Sequence, residues 1–216
     1  MTICVAARVN DCIVFAADSA TTLVDQRGNQ ILNVYDYGNK VFNLYKGLPV
    51  CAMTCGFGNI GRQSISTIAK DLRRRLVSGG PDWAIDRKNY NISDIAEKAR
   101  KYIFEERYQS WANKPQGPHS LNFYLGGYSS QAEGHELWQI TIENGACPNA
   151  AQISKDGECG LNWAGQPEPI WPAAGFTDTE LRCFDGTGGF KWWEGWRRAP
   201  RLLPAPRNLG RGARVF

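Results

Sequence analysis

No apolar run in this sequence of 216 residues approaches the length of a bilayer-spanning helix, and the N-terminus lacks a basic region followed by an apolar stretch. The expectation is a cytoplasmic protein with no membrane partner. Histidine is almost missing, present only as His119 and His135. Tetrahedral zinc sites need clustered ligand pairs, so the spacing Cys51-x3-Cys55 does not make a metal centre. Neither a metal nor a cofactor is expected. Seven cysteines form no disulfide framework. Cys4, Cys12, Cys51 and Cys55 lie inside apolar strand patterns and read as buried free thiols in a reducing compartment. No internal repeat is apparent. The composition, 43% hydrophobic and 21% charged, is ordinary for a globular chain, and the length suits one domain with a continuous core.

The net charge of +4 conceals a division. Between Gly189 and Phe216 stand seven basic residues and one acid, a local +6 that exceeds the charge of the whole chain. This stretch carries Trp192, Trp193 and Trp196, then a run of Arg, Pro, Gly, Leu and Ala with neither strand alternation nor a helical stripe. Arginine can neutralise phosphate and tryptophan can stack on bases. The composition is better read as resembling an out-of-frame translation of GC-rich coding DNA, so no nucleic-acid partner is expected. The expected organisation is a folded domain over 1–186 and an irregular basic tail over 187–216.

The first third is strand-rich. Met1–Val9 and Cys12–Ala17 read as strands around an Asn10-Asp11 turn, and Asn39–Tyr45 and Leu48–Cys55 as a hairpin around Lys46-Gly47. Gly56 to Gly61 breaks the strand. Ile65, Ile68, Leu72 and Leu76 then recur at helical spacing, with Arg73-Arg74-Arg75 on the outer face. A second helix is expected from an N-cap at Ser93, burying Ile95, Ala99 and Ile103. Strands resume at Leu121–Leu125 and His135–Ile142, followed by a Glu143-Asn144-Gly145 turn. Strands, two helices, strands is an α+β order in which a helix layer packs on stacked antiparallel sheets.

Thr2 heads the first strand. A hydroxyl at its ordinary pKa is a poor nucleophile and needs an adjacent base. An α-amine, with a reference pKa of about 7.7, accepts a proton at neutral pH. Once Met1 is removed, Thr2 carries both groups. A lone threonine here would be no more than a β-branched residue on an edge strand. It is not alone, however. Thr2, the hairpin, Ala16-Ala17-Asp18-Ser19, Gly38-Asn39-Lys40-Val41-Phe42 and Met53-Thr54-Cys55-Gly56 occur in the order seen in proteasome β-type peptidases and their bacterial proteasome-like relatives, all N-terminal-nucleophile (Ntn) hydrolases. The resemblance runs from Thr2 to about Asp178 and is strongest up to Gly61.

That resemblance implies an αββα sandwich, two stacked antiparallel sheets between helix layers, with the C-terminal layer incomplete because no helical pattern follows Asp178. It implies a threonine peptidase acting on peptide or protein substrates. Thr2, Asp18 and Lys40 would be catalytic, Gly56 the oxyanion donor, and Thr22 the position that aligns an extended substrate. Thr54, Gly58 and Arg62 would border the pocket for the side chain before the scissile bond. A homo-oligomer, such as a ring, is the implied partner. Departures are Ala20 in place of a frequent arginine, a longer connection around Asp25 to Asn33, and no serine near Asn162-Trp163-Ala164-Gly165-Gln166, where a Gly-Ser-Gly element belongs. Two alternatives stand beside the peptidase: an Ntn-type amidase for small molecules, and a catalytically dead truncated or scaffold subunit.

Overall fold

A computed structural model describes residues 2–24, 31–112, 114, 119–154, 158–165 and 189–190. Alternating burial along Ile3–Val9 (β1) folds it against Cys12–Ala17 (β2), with Cys4 opposite Ala17 and Val9 opposite Cys12. Thr21–Val24 (β3) and Ile31–Tyr35 (β4) form a separate hairpin. Val41–Asn43 (β5) and Val50–Gly56 (β6) pair through the turn at Gly47, whose φ of +85° suits glycine. Asn59–Ile60 (β7) and Gln63–Ser64 (β8) make a short ladder.

Helix α1, Ile65–Ser78, starts where the Ser64 side chain accepts the Thr67 N–H at 3.2 Å. It buries the expected stripe of Ile65, Ile68, Leu72 and Leu76. Helix α2, Ile92–Arg100, starts one residue before the expected cap. Asn91 occupies the cap position without a side-chain bond, and the Ile92 N–H is instead satisfied by Ser129 Oγ at 3.0 Å. The helix is therefore capped by a distant segment. Lys101–Tyr108 continues it as a π-helix, closed by the Gln109 N–H on the Phe104 carbonyl at 2.8 Å. Ser120–Gly127 (β9) and Glu136–Glu143 (β10) follow, then Ala151–Ser154 (β11), Gly160–Gly165 (β12) and Gly189–Phe190 (β13).

Two larger antiparallel sheets result, ordered β13-β12-β1-β2 and β11-β10-β9-β6-β5. The second is buried on both faces, and period-two alternation divides its side chains. Phe42, Val50, Ala52, Leu121, Phe123, Leu125, Ile140 and Ile142 join the helices in the larger core. Val41, Met53, Cys55, Tyr124 and Leu137 meet Cys4, Ala6, Phe15 and Ala164 of the first sheet in a smaller core. The fold is mixed, with several antiparallel sheets and few helices, in line with the expected class. The second helix layer falls in residues outside those described. So does the basic tail, apart from Gly189 and Phe190, which pair with Asn162 and Leu161. At that point the chain is a strand where an irregular tail was expected.

Candidate active site

The end of β2 places Asp18 beside the start of β1. The Asp18 N–H donates to the Ile3 carbonyl at 3.0 Å. In return, Asp18 Oδ1 accepts the Ile3 N–H at 2.7 Å and Oδ2 accepts the Ala20 N–H at 3.1 Å. The carboxylate is thus pinned by backbone donors next to the residue bearing the terminal hydroxyl.

Lys40 enters from the segment leading into β5, held to β6 by the Thr54 N–H on its own carbonyl at 2.9 Å. Its side chain is 9% exposed. The ammonium donates to Asp18 Oδ1 at 2.8 Å, to the Ala20 carbonyl at 2.5 Å and to Thr2 Oγ1 at 3.2 Å. Three N–H groups meet three acceptors, so none is left over. With its protons committed, this ammonium cannot take the hydroxyl proton of Thr2. It can only pull electron density from the oxygen and stabilise an alkoxide.

These residues open on a cleft of about 680 Å³. Thr2, Lys40, Gly56 and Thr22 all line it, together with Thr54 and Gly58. Arg62 does not, and is exposed. Gly56 ends β6 at φ +115°, and a Cβ there would run into the Ser120 carbonyl, so the chain turns the cleft corner only with glycine. Thr54 is 8% exposed, and its hydroxyl has no partner among the described residues. Helix α1 presents Ser64, Ile65, Ser66 and Lys70 on the far side, and Tyr35 and Tyr37 of the β4 end close the rim.

Three features escaped the sequence reading. Tyr35 and Tyr37 reach the cleft only because the longer connection forms the β3–β4 hairpin. The Ala20 carbonyl is a third anchor for Lys40, and a main-chain acceptor leaves no trace in residue identity. Gly165 of β12 lies opposite Ile3, and at φ +93° its bare Cα packs against the Thr2 carbonyl. A serine is expected in this stretch by residue type, whereas the contact with Thr2 is made by a glycine at positive φ.

No family model matches the chain, and no curated protein matches it. Solved structures do. The helical assembly of the Anbu complex from Pseudomonas aeruginosa matches with a TM-score of 0.50 and 20% identity over 84% of this chain and 70% of that one. The Anbu (Gly-1) mutant from Hyphomicrobium sp. strain MC1 matches with a TM-score of 0.51 and 17% identity over 80% and 65%. The chain resembles Anbu in fold. At these identities the likeness to Anbu concerns the fold alone, and the chain spans about two thirds of the Anbu lengths. This corrects the family resemblance drawn from sequence. Five short motifs in order do not make the chain a proteasome β-type peptidase, nor a truncated or frameshifted one; the likeness found is to the fold of Anbu.

Proposed function

We propose that the chain is a threonine-type hydrolase that cleaves peptide bonds with Thr2 as nucleophile. The observation that carries this reading is the triple donation of Lys40 to Thr2 Oγ1, Asp18 and the Ala20 carbonyl. Breaking the Met1–Thr2 bond frees the Thr2 amine, which takes the hydroxyl proton as Oγ1 attacks the substrate carbonyl. The C–O bond forms, and the oxyanion develops toward the backbone N–H of Gly56. The same amine then returns the proton to the leaving nitrogen, giving an ester on Thr2 and a free amine product. Water, activated by the Thr2 amine, hydrolyses the ester.

A peptide is favoured over a small amide because the cleft, about 680 Å³, is bordered by strand β3 at Thr21 and Thr22, where an extended chain could align. The proposal includes an αββα sandwich with an incomplete C-terminal layer, and self-association into a homo-oligomer. The exposed Leu32, Val34, Tyr35 and Tyr37 around the β3–β4 hairpin are the apolar surface that supports the latter. Hydrolysis of a panel of fluorogenic peptides by the purified protein tests the activity, with size-exclusion chromatography run in parallel. Thr2→Ala should abolish turnover without loss of the folded state, and Thr2→Ser should keep part of it. Equal turnover by Thr2→Ala would refute the proposal.

A further inference from the structure

Two thiols lie at the base of the cleft and play no part in this chemistry. Cys4 is two residues beyond Thr2 on β1 and fully buried, while Cys55 directly precedes Gly56 on β6, is itself buried, and lines the cleft. Both are free and pack in the same buried cluster between the two sheets. The single S–H of Cys4 also has the Thr54 carbonyl as an acceptor at 3.1 Å. A Cβ on Gly165 would stand 3.5 Å from the Cys55 sulfur, so the pair sits directly under the Thr2 end of β1.

We propose that Cys4 and Cys55 are a dithiol oxidation site, in which a hydroperoxide entering the cleft oxidises Cys55 and Cys4 resolves the product to a disulfide. Cys55 acts first because it opens on the cleft and Cys4 does not. Its acidity agrees with that order. The neighbouring Cys4 thiol, with help from the Lys40 charge, holds the Cys55 thiol below its usual value against the opposing effect of burial. The Cys55 neighbour and burial push Cys4 up. Reactive cysteines are the acidic, accessible ones with a resolving partner in reach.

In the first step the Cys55 thiolate attacks one peroxide oxygen. The S–O bond forms, the O–O bond breaks, and the departing oxygen leaves as water after protonation. Sulfur is oxidised to a sulfenic acid and the peroxide is reduced. In the second, the Cys4 sulfur attacks the Cys55 sulfur, the S–O bond breaks, and the Cys4 proton leaves with the hydroxyl as a second water.

A disulfide holds its Cα atoms within about 4.4–6.8 Å, so closing the bond fixes the separation of the Thr2 and Gly56 strands and strains both wherever their resting spacing differs. A misplacement of about 1 Å at a reacting centre can cost on the order of 10² in rate. Strain of this kind also makes a disulfide easy to reduce. The effect on turnover rests on the reading of Thr2 as nucleophile; the thiol chemistry does not.

The test treats the full chain with hydrogen peroxide, blocks remaining thiols with iodoacetamide, and maps the digest by mass spectrometry with and without dithiothreitol. The expected result is a peptide pair joined through Cys4 and Cys55 and separated by the reductant. In Cys4→Ala, which keeps a small apolar group in the core, Cys55 should stop at sulfenic or sulfinic acid. Cys4 and Cys55 both remaining alkylatable while Cys147 and Cys159 oxidise would overturn the proposal. So would Cys55 sulfinic acid in the unsubstituted protein with Cys4 untouched. Peptide hydrolysis should fall at least about tenfold on oxidation and return on reduction; a mapped disulfide with undiminished hydrolysis would overturn the regulatory part. A mapped disulfide in a protein that hydrolyses nothing in either state would support the thiol site and count against the Thr2 reading.

Discussion

Lys40 Nζ stands 2.8 Å from Asp18 Oδ1, and that ion pair fixes the ammonium against Thr2. Asp18 is held by the Ile3 and Ala20 N–H groups and cannot follow a displaced lysine. The charge therefore sits where an alkoxide would form, prepared before substrate arrives.

Lys40→Ala should lower kcat by on the order of 10² or more with little change in KM, the pattern for a contribution made mainly in the transition state. Asp18→Asn should do the same less severely, because the amide oxygen can still accept the Ile3 N–H while the ion pair is lost. Steady-state kinetics on folded variants checks both. A Lys40→Ala enzyme with unchanged kcat would remove this residue from the site.

Gly165→Ala should damage the site without touching any side chain in it. At φ +93° a side chain is strained by roughly 1–2 kcal/mol, and the added Cβ would press on the Thr2 carbonyl. The midpoint of thermal unfolding should drop by several degrees, and hydrolysis should fall further than stability alone explains. Gly80→Ala, where a Cβ meets open space, is the matched control and should be near neutral. Equal behaviour of the two variants would show that the Gly165 contact does not position Thr2.

Local pattern made much of this legible. The stripe Ile65, Ile68, Leu72 and Leu76 read correctly because helical burial repeats at fixed spacing, and the Asn144-Gly145 turn because both residues adopt positive φ, 48° and 89°. Thr2, Asp18, Lys40 and Gly56 were each named from sequence; Thr2, Lys40 and Gly56 line one cleft, and Asp18 stands behind it, paired with Lys40. What was missed depends on contacts between distant segments. Ser93 looked like a cap by type, yet Ser129 from another segment decides where α2 begins. The π-helix over Lys101–Tyr108 has no distinctive residue pattern, since it differs from an α-helix only in which backbone carbonyl each N–H meets. The pairing of β12 with β1 joins residues about as far apart as the described chain allows, and no local signal announces it.

Alkaline pH should weaken the fold from within β6 and β9. Removal from water pushes the Cys51 thiol up to about 12 from its ordinary 9.0, and the Tyr124 phenol up to about 12 from 10.0. Both groups keep their protons in the folded state at pH values where the unfolded chain has released them. Stability is thus unaffected by either group below about pH 9 and falls as pH rises from there toward 12, by on the order of a few kcal/mol in total. Denaturant titrations from pH 8 to 11 should show the decline, and Cys51→Ala should flatten its first part. An unsubstituted protein and Cys51→Ala with parallel profiles would contradict the assignment.

If the amine of Thr2 is the base, activity depends on the state of the N-terminus. Chains that begin at Thr2 can be separated from chains that retain Met1 and identified by intact mass, then assayed side by side for peptide hydrolysis. All turnover should belong to the Thr2 form, and a substrate-derived acyl group, trapped by acid quench, should map to its hydroxyl. Equal turnover by the form that retains Met1, whose Thr2 nitrogen is locked in a peptide bond, would contradict that role for the amine.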